Sequence, residues 1–202
     1  MRIILASKSP RRIEILKNLG LSPDIIPADV DENIDGVTDN PEKAVCLLAE
    51  RKGRAISELA GDVDTLIIAA DTLVYLDNKL LGKPEDAHEA RKMLRMLSGN
   101  VHSVYTGICA VVGDKCETRA VETKVHFKNL SAREIEWYVN DGEPFDKAGA
   151  YGIQGKGGLF VEKIDGDYFN VVGLPVAELF SMIDEKFGVS FEQLKQKPED
   201  AE

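Results

Sequence analysis

The sequence predicts an α/β fold, with a mixed β-sheet flanked by helices. Three observations point to it. Short apolar runs alternate with segments of helical periodicity, a pattern that places helices on the faces of a sheet. Residues 65–76 are almost wholly apolar with one charge, Asp71, as expected of a central strand covered on both faces. Two long strand-like segments, 101–112 and 116–127, are joined only through Gly113-Asp114, so the sheet contains hairpins and is mixed.

The elements follow in order. Ile3-Ile4-Leu5-Ala6 reads as a short buried strand. Ser9-Pro10 places a cap before a proline at the first helical position, and the helix runs to about Leu19 before Gly20 stops it. A strand near 22–27 leads into the acidic loop Asp29-Val30-Asp31-Glu32. Asn40-Pro41 repeats the cap-then-proline signal and opens a helix to about Leu59. After the central strand, a turn at Asp77-Asn78 returns the chain through Leu80-Leu81-Gly82-Lys83-Pro84. A helix over about 85–97 ends at Gly99. Ser131 and Glu134 form a capping box for a helix to Asn140, closed by Gly142. Residues 147–158 are rich in glycine and small residues. Residues 159–164 and 168–172 read as a hairpin over Asp165-Gly166. A last helix starts at Pro175 and reaches Phe187-Gly188. The expected organisation is one domain over 1–190 and a polar C-terminal tail, 191–202.

Composition narrows the function. The 202 residues are 44% hydrophobic and 30% charged, a globular balance, and no apolar stretch reaches the ~20 residues of a membrane span. Lys8 breaks the first apolar run, which argues against a signal peptide. Three unclustered cysteines fit a reducing cytoplasm and neither a disulfide frame nor a zinc site. The net charge of −10 argues against a broad nucleic-acid surface and a stable nucleic-acid complex. A small anionic substrate needs only a local cationic cluster, and an acidic protein would enlist a divalent cation beside it.

Several residues could form that cluster. Ser7-Lys8-Ser9-Pro10-Arg11-Arg12 lies on a strand-to-helix turn. Hydroxyls, helix-terminal N–H groups and two guanidinium groups converge there, which suits phosphate. Capping alone would favour acidic residues in the first turn. Asp71, inside a buried strand, is costly unless it is paired or holds a metal. The Asp-x-Asp pattern of an aspartyl-phosphate nucleophile is absent around it. Lys52 falls near the centre of the apolar stripe Ala44, Leu48, Ala55, Ile56 and Leu59, so it either snorkels or meets an anion. Lys83 sits on a stiff turn between Gly82 and Pro84, where an ordinary exposed lysine is the competing reading. Residues 149–158 hold five glycines but no Walker or Gly-x-Gly-x-x-Gly pattern. Gln154 there offers a donor and an acceptor, which suits a nucleobase edge. His88, His102 and His126 are scattered and carry no ligand role, and Trp137 is expected to pack.

Separated motifs give these residues a common setting. They are residues 5–12, Ala70-Asp71-Thr72-Leu73-Val74, Gly82-Lys83-Pro84, and Met93-Leu94 with Leu97-Ser98-Gly99 and His102. They continue with Gly142-Glu143-Pro144, residues 146–151, Ile153-Gln154-Gly155 and residues 171–175. Together they resemble the Maf family of nucleoside triphosphate pyrophosphatases over roughly residues 2–187.

The resemblance implies an α/β fold with an elongated mixed β-sheet flanked by helices and two lobes with a cleft, as in the inosine triphosphate pyrophosphatases. It implies hydrolysis of a nucleoside triphosphate to monophosphate and pyrophosphate with Mg²⁺ or Mn²⁺, by a cytoplasmic homodimer. Arg11, Thr72 and Gln154 match the subgroup acting on dTTP and UTP, with CTP or modified pyrimidine nucleotides as further candidates. On this reading Ser7, Ser9, Arg12, Lys52 and Lys83 take the triphosphate. Glu32, whose neighbours Asp29 and Asp31 compete for the same alignment, joins Asp71 in holding the metal. Asp71, or its metal-bound water, serves as general base, with Glu32, Lys52 and Lys83 completing the catalytic set. Arg11, Thr72 and Gln154 read the base. The alternatives are a pyrophosphatase for another nucleotide, such as 7-methyl-GTP, and a regulatory protein of cell division or septum formation.

Overall fold

The computed structural model describes residues 1–34, 38–60 and 64–195. Its sheet has seven strands. They are Arg2–Leu5 (β1), Asp24–Ile25 (β2), Thr65–Leu76 (β3), Lys79–Leu81 (β4), Val101–Val112 (β5), Lys115–Phe127 (β6) and Val161–Asp165 (β7). The order is β2-β1-β3-β5-β6-β7, with β4 added to β3. β1 runs parallel to both β2 and β3, whereas β4 pairs antiparallel with β3 and β7 antiparallel with β6. The predicted mixed α/β sheet is therefore present.

The helices are Pro10–Asn18 (α1), Pro41–Ala60 (α2), Ala87–Leu97 (α3), Ala132–Asp141 (α4), Tyr168–Val172 (α5), Val176–Phe187 (α6) and Phe191–Leu194 (α7). None of the described helices is long and apolar enough to cross a membrane.

The chain divides into two compact units. The first comprises residues 1–71, 107–120 and 173–202, and the second comprises 72–106 and 121–172. β3, β5 and β6 contribute residues to both.

In the first unit, β1 and the leading half of β3 are buried on both faces, hence their unbroken Ile, Leu and Ala runs. Helix α2 lies directly on β5. A Cβ at Gly107 would stand 2.2 Å from the Val45 carbonyl oxygen, and one at Gly53 would stand 2.8 Å from Cys109 Sγ. Only glycine permits that approach. Ala44, Val45, Leu48, Ala49 and Ile56 are buried on this face. Leu59, expected to extend the stripe, is 78% exposed, so the buried contact ends at Ile56. β2 keeps only two residues of the strand expected over 22–27.

The second unit is built around Leu94, Leu97, Val104, Val125, Tyr138 and Phe160. Asp86 caps α3 by accepting from the Glu89 N–H at 2.8 Å. Ala90, Met93, Leu94 and Leu97 then fall on one buried face. The Ser131–Glu134 capping box of α4 is present, and Gly142 closes it at φ 85°. In α4 the buried face is Ile135, Tyr138 and Val139. Trp137, expected to pack, lies on the opposite side and is 46% exposed.

The hairpin expected over 159–172 is replaced by β7 against β6 and the short helix α5. Asp167 decides this: its carboxylate accepts from the Phe169 N–H at 2.7 Å and opens a helical turn. Beyond α6, Ser190 and Gln193 form a capping box, Phe191 meets Phe180 edge-on, and Leu194 is buried. The rest of the expected tail, 196–202, lies outside the described residues.

Candidate active site

In the first unit, β1 delivers the chain to α1 through residues 6–9. Ser7 is buried, and its hydroxyl accepts from the Ser9 N–H and from Arg12 Nη1, each at 3.2 Å. Ser9 occupies the N-cap of α1, but its side chain makes no capping bond, and the first turn holds no acidic residue. A helix terminus left this way suits an anion. Arg11 follows, half-buried, on the first turn of the helix.

Arg12 sits deeper than its sequence neighbour. Nε donates to the Gly173 carbonyl at 2.8 Å and Nη1 to the Ala70 carbonyl at 2.8 Å. Burial lowers its pKa from the ordinary arginine value, and the nearby Asp71 charge opposes that shift. This guanidinium therefore fixes the backbone immediately before Asp71 as well as the Ser7 hydroxyl.

Three charges meet beyond that point. Lys52 Nζ, reaching from α2, lies 2.5 Å from Asp71 Oδ1 and 2.6 Å from Glu32 Oε1. The Lys52 and Asp71 side chains are 11% and 12% exposed, whereas Glu32 is 58% exposed. Of the two roles open to an inward lysine, pairing with an anion is the one adopted. Of the three acidic residues in the loop, Glu32 is the one that reaches the ammonium.

Arg51 explains how that loop is held. Its Nη1 donates to the Asp31 carbonyl at 3.0 Å and to the Asn33 carbonyl at 2.9 Å. The Asn33 N–H bonds Asp31 Oδ1 at 2.9 Å, an Asx turn that bends the chain there. Sequence reasoning missed Arg51; its position next to the inward Lys52 was the available signal.

Glu32 and Asp71 face each other across one ammonium. Two carboxylates completed by substrate phosphates form the donor set Mg²⁺ commonly uses, so these residues fit the implied cation. Among the described residues no cluster of three or more His, Cys, Asp or Glu side chains could hold a metal alone.

The second unit carries Thr72, Lys83 and Gln154. Thr72 follows Asp71 on β3, half-buried, with its hydroxyl 2.9 Å from that of Thr106 on β5. Lys83 is exposed on the turn after β4 and borders a cavity of about 360 Å³ with Lys79, Leu81, Met93 and Met96. The Gly82 carbonyl of that turn accepts from the Gly149 N–H at 3.0 Å. Gly149 has φ 70°, and a Cβ there would press on Val74 at 3.0 Å.

Gln154 is exposed at the tip of a glycine-rich turn. Glu143 organises that turn: its carboxylate accepts from the Tyr138 hydroxyl at 2.9 Å and from the N–H groups of Lys156 at 2.9 Å and Gly157 at 3.2 Å. A Cβ at Gly155 would stand 2.3 Å from Glu143 Oε1, and one at Gly157 would stand 2.7 Å from the Tyr138 oxygen. These glycines make room for the side chains that hold the turn.

Comparison with known proteins gives this arrangement a family. A protein from Clostridium botulinum named dTTP/UTP pyrophosphatase is 51% identical over 186 residues, covering 91% of this chain and 96% of its own. One of the same name from Thermosipho africanus is 48% identical over 183 residues, covering 91% and 92%. A third, from Thermoanaerobacter sp., is 47% identical over 191 residues, covering 94% and 98%. The sequence model described as Maf-like protein matches residues 2–186, and the chain belongs to that family.

Proposed function

We infer that this protein is a nucleoside triphosphate pyrophosphatase that hydrolyses dTTP and UTP to the monophosphate and pyrophosphate. CTP and modified pyrimidine nucleotides are the next candidates. The reading rests on one observation above the rest: a buried carboxylate, Asp71, held by a lysine within an anchored strand. The relatives at 47–51% identity carry names that state this activity.

The residues divide the work as follows. The α1 terminus with Ser7 and Ser9, together with Lys52 and Lys83, offsets the triphosphate charge. Arg12 keeps Ser7 and Asp71 in place. When the triphosphate arrives, Lys52 turns part of its charge from the carboxylates to phosphate oxygens, which frees Asp71 to accept a proton. Water attacks the α-phosphorus as Asp71 takes its proton. An oxygen–phosphorus bond forms, the bond from the α-phosphorus to the bridging oxygen breaks, and pyrophosphate leaves. Glu32 and Asp71 would hold Mg²⁺ or Mn²⁺, which would supply charge neutralisation for that departure. Arg11, Thr72 and Gln154 read the pyrimidine. The same reading takes the working form to be a cytoplasmic homodimer.

Product analysis across dTTP, UTP, CTP, GTP and 7-methyl-GTP with Mg²⁺ or Mn²⁺ tests this. Monophosphate plus pyrophosphate from dTTP and UTP is expected. Orthophosphate as the product, or no turnover of any nucleotide, overturns it.

A further inference from the structure

The fold brings together two cysteines that the sequence leaves apart. Cys46, Cys109 and Cys116 are all free thiols. β5 and β6 are joined only through Gly113-Asp114, and that tight return sets Cys116 beside Cys109. Their Sγ atoms lie 3.4 Å apart, with seven positions between them in the chain. Both residues belong to the first unit.

The Cys109 sulfur has little room to turn away. It is fully buried, and α2 covers it. A Cβ at Gly53 would stand 2.8 Å from this sulfur and 3.2 Å from Val111 Cγ2, so helix backbone lies directly over both. Cys116 is half-buried at the border of the same apolar cluster, which leaves it open to a small reagent. A disulfide has an S–S length of about 2.05 Å, so the two sulfurs need to close by only about 1.4 Å.

The surroundings give the two thiols different characters. A charge costs more at the fully buried position, so Cys109 keeps its hydrogen and donates it to Cys116. That hydrogen bond, with burial, pushes the Cys109 thiol up. The same bond pulls the Cys116 thiol down; burial opposes the shift, the Arg54 charge favours it, and Glu50 and Glu117 oppose it. Cys46, on α2, goes the other way: burial pushes its thiol up despite a hydrogen bond with Thr118. The thiolate is the reactive form, so Cys116 is the thiol that reacts first.

We propose that Cys109 and Cys116 form an oxidant-sensitive dithiol, closed to a disulfide by a two-electron oxidant of the peroxide class. The Cys116 thiolate attacks one oxygen of hydrogen peroxide. A sulfur–oxygen bond forms, the oxygen–oxygen bond breaks, and hydroxide leaves as water with the proton that Cys116 gave up. Cys116 is then a sulfenic acid. The Cys109 sulfur attacks it, the sulfur–sulfur bond forms, and the hydroxyl departs as water with the Cys109 proton. Two thiols have lost two electrons, and the peroxide has become two waters. A dithiol reductant reverses the step. The bond forms directly beneath the helix that carries Lys52, and the proposal does not depend on which nucleotide the protein hydrolyses.

Trypsin makes the test direct, because Lys115 separates the two cysteines. A full digest puts Cys109 in the peptide 96–115 and Cys116 in 116–119. The reduced, full-length protein is treated with equimolar hydrogen peroxide, its remaining thiols are alkylated, and the digest is read by mass spectrometry without reductant. Peptides 96–115 and 116–119 should emerge joined, with two of the three thiols lost and Cys46 alkylated. Dithiothreitol should return all three. Cys109→Ala should stop Cys116 at the sulfenic acid, which dimedone captures, and Cys116→Ser should leave Cys109 alkylated. A bond from either residue to Cys46 overturns the proposal. So does a covalent dimer, a sulfinic acid at Cys116 with Cys109 still alkylated, or three untouched thiols. The wild-type digest decides this even if a variant does not fold.

Discussion

Substituting Lys52 by Met removes the ammonium that Asp71 and Glu32 share and keeps a chain of similar length and volume. Asp71 is then left at a 12%-exposed position without its 2.5 Å partner. Breaking a buried pair from one side costs about 3–5 kcal/mol, because the remaining charge is stranded. The Arg12 guanidinium also attracts Asp71, which favours the lower end, about 3 kcal/mol. Glu32 adds little, since its side chain is 58% exposed and water replaces the lysine. For a chain of this size, about 3 kcal/mol lowers the melting midpoint by roughly 6–12 °C. Scanning calorimetry at pH 7 on the wild type, Lys52→Met and Lys52→Met/Asp71→Asn reads it directly. The double variant removes the stranded charge and should regain most of the loss. A Lys52→Met midpoint within about 2 °C of wild type would refute the reasoning. So would a double variant no more stable than the single one.

Further predictions concern the other parts of the site. Asp71→Asn should lower kcat at least about a hundredfold, as loss of a general base does, while the melting midpoint moves only a few degrees. A pyrophosphate-release assay retaining more than a tenth of the activity would remove Asp71 from that role. Glu143→Ala leaves three donors without their carboxylate, so the Gln154 turn should loosen and KM for UTP rise about tenfold, with kcat changed less. Steady-state kinetics showing a fall in kcat alone would contradict this. His102 is buried, with Nε2 2.8 Å from the Tyr151 hydroxyl, and burial, aided by His126, lowers its pKa to about 4. The unfolded chain binds that proton near pH 6.5, so the native state is favoured most above this value. Stability is lost as pH falls from about 6.5 to about 4, by up to roughly 3 kcal/mol. Urea titrations of wild type and His102→Gln should differ in slope across that window, and parallel curves would sink the assignment.

Much of this arrangement was legible in the sequence because the cues were local. β3 was readable from an uninterrupted apolar run, and Asp71 stood out as its one charge. Lys52 could be placed by helical rotation alone, since Ala44, Leu48 and Ile56 mark the inner face. The α4 capping box needed only Ser131 and Glu134. What escaped was set by long-range bonds. Nothing near Arg12 indicates that its guanidinium meets the Gly173 carbonyl, 161 residues away. The fate of 168–172 turned on the Asp167 carboxylate, because a five-residue apolar run fits a strand or a helical turn equally. Trp137 was misread for want of a helix phase: Ile135, Tyr138 and Val139 define the inner face and leave it outside.

The discontinuity of the first unit bears on how the protein is made. Glu32, Lys52 and Asp71 all lie within its opening segment, yet the unit also needs residues 107–120 and 173–202. Leu174, Leu179, Met182 and Ile183, all buried, are among the last to be synthesised. A nascent chain paused at residue 120 thus carries all three charged residues with part of its core still missing. The second unit, made from 72–106 and 121–172, closes its sequence before the first does. Distant closures of this kind are slow, because loop entropy must be overcome before the contacts form. The first unit's core is therefore completed only once residues 173–183 have been made, after the whole of the second unit.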